Sequence, residues 1–211
     1  MKKYEFKLDK RLQEIIAKPI RTFFDVALIL LHSLMYISWQ KPCETVEGNF
    51  KIVINKMNRM FFMQNNKIFS FTIPFSLREN EDGGLEIYDS SSLVDNKCLV
   101  VLIEILTTVK NSPSELIDYM SFLDEHDLSE NEIIVVKSTM NTIILNEYGY
   151  LRYDEDEERE SGEMHPKYHM DINYSNAGTY KLGLEEKIRY QWFQDCLDIT
   201  KPCKFIKTSN N

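Results

Sequence analysis

The stretch Phe50–Phe75, FKIVINKMNRMFFMQNNKIFSFTIPF, decides the fold class. Phe50, Ile52 and Ile54 alternate with Lys51, Val53 and Asn55, the period-two pattern of a strand with one covered face. Met60–Met63 and Ile68–Phe75 are rich in aromatic and β-branched residues. The turn cluster Gln64-Asn65-Asn66-Lys67 separates them, so the two read as a hairpin. Residues 49–75 are therefore a β region. Phe61, Phe62, Phe69, Phe71 and Phe75 read as core, because the Gly-Phe pattern of an RNA-stacking sheet is missing.

Upstream, residues 1–40 read as helical. Leu8, Leu12, Ile15 and Ile16 recur at helical spacing before Pro19, and a second helix opens near Pro19 or Arg21 and runs to about Trp39. The second is apolar on most sides, which suits the middle of a fold or an interface. Its longest apolar run, Val26–Leu31, is six residues, and Asp25, His32, Ser33 and Ser38 interrupt the stretch. A membrane span needs about 20 predominantly apolar residues, so a core helix is expected, with His32 a satisfied core residue.

Downstream, Glu79–Gly84 is a polar loop, and residues 91–147 read as helical. Ser91 or Ser92 is the expected cap of a helix carrying Leu99, Leu102, Ile103, Leu106 and Val109. Ser112-Pro113-Ser114-Glu115 and Ser129…Glu132 both have capping-box spacing. Residues 148–184 turn extended again around an acidic loop, with a second hairpin across Ser175-Asn176-Ala177-Gly178. A final helix over 185–199 places Ile188, Trp192, Cys196 and Ile199 on one face. Together these segments predict one α+β domain over residues 1–211: a single compact unit with a small antiparallel sheet of two hairpins packed by several helices.

Composition narrows the function classes. The 211 residues hold 33 Asp+Glu against 25 Lys+Arg, a formal net charge of −8. That balance excludes a broad basic face for nucleic acid. The charge is local, however: Asp154–Glu163 carries seven acids and one Arg, and Met1–Arg21 has seven Lys/Arg against three Asp/Glu. The basic termini, with Lys201, Lys204 and Lys207, leave a nucleic-acid contact open, and the acidic loop is a docking surface for a basic partner or a solvated tip. Neither GxGxxG, GxxxxGK[ST] nor GxSxG occurs, so no nucleotide cofactor is expected. Cys43, Cys98, Cys196 and Cys203 show no CxxC pairing and no signal peptide is evident, which points to reduced thiols in a cytoplasm.

One polar constellation has chemical potential: LRYDEDEERESGEMHPKYHMDINYS, Leu151–Ser175. His169 and Asp171 on one strand point to one face, with His165 on the incoming loop and Arg152 and Asp154 on a neighbouring strand. Pro166 disfavours a helical zinc motif, because the residue before proline is biased to extended backbone. Two imidazoles and a carboxylate suit a divalent metal, with His165, His169 and Asp171 as ligands, or general acid–base work on a phosphodiester. The alternative is structural, an Arg152–Asp171 pair with capping histidines. His126 reads as a solvated helix end.

The order Arg152-Tyr153-Asp154, acidic spacer, His165-Pro166-x-x-His169-x-Asp171, strand and short final helix resembles uncharacterised bacterial domain-of-unknown-function proteins, some encoded near toxin–antitoxin or phage-defence genes. The likeness covers the last third of the chain, and many such proteins carry a His where this one has Asp171. It implies a bacterial setting and a defence- or toxin-linked role. Two functions are therefore expected: a cytoplasmic component acting through protein contacts, without a cofactor, or a metal-dependent nuclease or hydrolase using the His165/His169/Asp171 cluster.

Overall fold

The period-two phenylalanines build the centre of a sheet. In the computed structural model, which describes residues 2–39, 45–54, 56–112, 123, 126–175 and 180–205, strands β2 (Thr45–Ile54), β3 (Arg59–Gln64) and β4 (Lys67–Thr72) pair antiparallel in succession. The expected turn at 64–67 closes β3 onto β4. β1 (Lys2–Asp9) joins outside β2, while β8 (Leu151–Glu155), β9 (Tyr168–Ile172) and β10 (Tyr180–Leu184) extend the other side, giving the order β1-β2-β3-β4-β8-β9-β10. β5 (Ser76–Glu79), β6 (Leu85–Asp89) and β7 (Ser92–Leu93) form a separate three-stranded sheet. The turn between β9 and β10, 176–179, lies outside the described residues.

Register puts one row of side chains across all seven strands: Phe6, Phe50, Phe62, Phe69, Arg152, Asp171, Lys181. The four phenylalanines stack along it, with ring centroids 4.9, 5.5 and 4.7 Å apart. Helices α1 (Lys10–Ile16) and α2 (Phe23–Trp39) contribute Leu12, Ile16 and Leu30 to the same buried cluster as that aromatic half. The other sheet face buries Val53, Phe61, Leu151, Tyr153 and Met170 against Phe193 of α5 (Tyr190–Leu197). Where the aromatic row ends, at β8, the row turns ionic.

Two further helices flank the sheets. α3 (Asn96–Asn111) buries Leu99, Leu102, Leu106 and Val109 as expected, and α4 (Glu130–Leu145) starts at a complete Ser129/Glu132 capping box. The capped helix expected after Ser112 falls outside the described residues, apart from Leu123, which is buried. No helix among the described residues is long and apolar enough to cross a membrane.

Four expectations change. Residues 1–40 are not helical throughout: Tyr4, Phe6 and Leu8 face inward on β1, and the spacing from Leu8 to Leu12 spans a strand-to-helix junction capped by Asp9. The sheet is not small, because β1 to one side and β8–β10 to the other join the central strands in one seven-stranded ladder. Asp95, not Ser91 or Ser92, caps α3: its Oδ1 accepts from the Cys98 amide at 2.8 Å, while Ser92 pairs in β7. The last helix is shorter than 185–199 and buries Phe193 and Gln194, leaving Ile188 and Ile199 beyond its ends.

Candidate functional site

Antiparallel pairing sets Arg152 opposite Asp171 and Asp154 opposite His169. Period-two direction puts all four on the face that carries the phenylalanine row. The structure thus unites Arg152, Asp154, His169 and Asp171 as the sequence implied. His169 and Asp171 are buried, at 1% and 2% exposure. One ligand atom each from Asp154, His169 and Asp171 lies within 4.8 Å of the others. His165 stands next to them, its ring edge-on to that of His169 with centroids 4.8 Å apart and its buried Nδ1 without a partner.

Arg152 occupies the space that a cation would take between the carboxylates. Its Nε donates to Asp154 Oδ2 at 2.6 Å and its Nη2 to Asp171 Oδ2. Burial alone would lower the guanidinium, but Asp154, Tyr150 and Asp171 together raise it above its ordinary value, which makes it a fixed cation. Lys181 of β10, which sequence reasoning missed, meets Asp171 Oδ1 at 3.0 Å. Two carboxylates thus face two cations and the cluster is balanced. The missed signal is pairing register: Lys181 lies directly across the β9–β10 ladder from Asp171.

Lys67, opposite Asp154 on β4, is a second missed neighbour. Burial, aided by Arg152 and opposed by Asp154, pushes its ammonium down to about 8, and its Nζ donates to the Ile16 carbonyl at 3.3 Å. His169 Nδ1 lies 2.8 Å from the Pro166 carbonyl, which can only accept, so that nitrogen carries the proton. Nε2 then faces Asp154 Oδ2 at 3.6 Å, too far for a hydrogen bond.

The acidic loop is fastened at both ends beside this cluster. The Glu155 amide donates to Asn66 O and the Asp156 amide to Lys167 O, each at 2.8 Å, and Ser161 and His165 form a bridge across the loop. Pro166 packs on Gly183, where a Cβ would lie 2.9 Å from the proline Cγ. Within the loop Lys187 holds Glu155, Lys167 holds Glu157 and Arg159 holds Asp156. Glu158, Glu160 and Glu163 are exposed and have no such partner among the described residues, and Met164 is 87% exposed beside them.

Elsewhere, His126 is tied to Glu104 at 3.2 Å and is more than a solvated helix end. His32 is not satisfied: its buried Nδ1 has no partner. The basic termini converge in part, since Lys3 and Lys201 both act on Asp198, whose carboxyl is lowered first by hydrogen bonds from Thr200. Lys207 lies outside the described residues, as does Cys43; Cys98, Cys196 and Cys203 are free thiols. Comparison with family models, curated proteins and solved structures finds no match to this chain.

Proposed function

We propose that the chain is a binding protein, acting as one compact domain in a cytoplasmic bacterial complex of the defence- or toxin-linked kind, and that its acidic loop meets a basic protein partner. One observation carries this reading: the Arg152–Asp154–His169–Asp171 cluster is closed by its own cations and lies at the base of a loop whose outer carboxylates are unneutralised, His169 meeting the Pro166 carbonyl at its end. A balanced, buried ion network is poorly placed to turn over substrate but well placed to hold a loop in one shape. Long-range attraction between that loop and a basic surface speeds encounter and weakens with salt. The basic termini offer nucleic acid a secondary contact.

The test is capture from the native cells with the full chain and with Glu158→Gln/Glu160→Gln/Glu163→Gln. A partner held by the unaltered chain, released by salt and absent from the triple variant supports the reading. Equal capture by both chains removes it.

A second reading, a metal-dependent nuclease or hydrolase, is favoured by the donor set of Asp154, His169 and Asp171 within 4.8 Å. It requires Arg152 to leave the carboxylates so that a divalent cation can replace it. Metal-dependent cleavage abolished by His169→Ala would establish it.

A further inference from the structure

Away from the cluster, α1 packs on α2 beside two cavities of about 180 and 330 Å³, which share Ile15 and His32 as a common wall; the larger reaches α3 at Thr107 and Lys110. The smaller is walled by Leu12, Met35 and Trp39 on its apolar side. Leu12 and Met35 are buried, while Trp39 is half-exposed at the mouth. His32 makes no hydrogen bond among the described residues: its Nδ1 is sealed from solvent without a partner, which leaves Nε2 as the atom that an incoming group can meet.

Arg11, Lys18 and Lys110 on these walls face Asp9 and Asp25, a net charge of one positive. Asp25 and Lys110 are paired with each other at 2.6 Å, while Asp9 accepts from the Leu12 amide and keeps its charge at the helix start, where the α1 dipole favours it. Arg11 and Lys18 have no ion-pair partner among the described residues. Burial, with Arg11 and Lys18 adding to it and Asp9 opposing, pushes the His32 imidazole down to about 4, so the ring is neutral near pH 7. A cation would be repelled here. A wholly apolar occupant would leave the His32 Nε2 dry, at a cost in free energy.

We propose that this cavity pair binds a small amphipathic carboxylate, its apolar body against Leu12, Met35 and Trp39 and its carboxylate at His32 Nε2 between Arg11 and Lys18. The neutral ring donates its Nε2 proton to the carboxylate, and the two side chains supply the counter-charge. Such a bound anion also favours the protonated ring. This site is independent of the acidic loop and of the reading built on it.

Octanoate is the probe. Added to the full chain in a Trp192→Phe background, it is expected to change Trp39 fluorescence saturably, and octanol at equal concentration is not. Arg11→Gln, an exposed change that leaves the core intact, should weaken octanoate about tenfold, the worth of a charge-assisted hydrogen bond. Ile15→Trp should block both cavities. The His32 ring resonances should titrate at higher pH with octanoate bound. No saturable response, octanol binding as well as octanoate, or indifference to Arg11→Gln would each overturn the assignment. The last of these is decisive even if Ile15→Trp fails to fold.

Discussion

Replacing Arg152 by Met keeps the side chain's length and removes its charge. In the native cluster the guanidinium separates Asp154 from Asp171, whose carboxylate is 2% exposed. Without it, two carboxylates face each other across no more than 4.8 Å. At an effective dielectric of about 20, two unit charges at that distance repel by roughly 3.5 kcal/mol. Lys181 stays on Asp171 and offsets part of this. Removing one member of a buried ion network costs about 3–5 kcal/mol in general, and the expected loss lies in that range. With a urea m-value of about 3 kcal/mol per M, the unfolding midpoint falls by about 1–1.7 M. A domain near the middle of the usual range of about 5–15 kcal/mol still folds in water after that loss. Equilibrium urea unfolding followed by circular dichroism reads the effect. Arg152→Met/Asp154→Asn/Asp171→Asn, which removes the repulsion as well, should recover most of the loss, as neutralised buried networks commonly do. A single-variant loss below about 1 kcal/mol, or a triple variant no more stable than the single, refutes the idea that Arg152 neutralises the cluster.

Three shorter predictions follow from the same structure. His32 titrates at about 4 when folded against 6.5 when unfolded, so the unfolded chain takes its proton first; stability present above pH 6.5 is lost as pH falls through 4. His32→Leu should flatten that part of the profile, and identical slopes in the two chains would contradict it. Gly183→Val pushes Pro166 off β10, so exchange of the Asp156 and Ser161 amides should quicken at least about tenfold without global unfolding; unchanged protection would show that the proline seat does not anchor the loop. Ser129→Ala removes half of the α4 capping box and should cost about 1 kcal/mol in thermal or urea unfolding, against no change if the cap is idle.

Local signals were readable from sequence wherever neighbours along the chain settle them. The Gln64–Lys67 turn, the Phe23–Trp39 helix and the Ser129 box each depend on a few adjacent residues. β1 was hidden because Leu8 is buried in a strand yet sits four residues before Leu12, which mimics a helical face. The pairing of β4 with β8, which sets Phe69 beside Arg152, joins residues far apart in the chain and has no local mark. For the site, period two puts His169 and Asp171 on one face, and Arg152 facing Asp171 reads as a structural pair. Whether the cluster is open or closed depended on Lys181, and only the register of β10 on β9 reveals that. The unsatisfied ring of His32 was also invisible, since an apolar helix gives no sign of a cavity beside it.

The most direct measurement is calorimetric titration of the full chain with Mn²⁺ and Zn²⁺, alongside Arg152→Met. If Arg152 is the resident cation of the cluster, the unaltered chain shows no saturable binding at this site, and the variant, with Asp154, His169 and Asp171 released from the guanidinium, gains it. Stoichiometric binding by the unaltered chain that His169→Ala abolishes would contradict a closed cluster and return the site to metal chemistry.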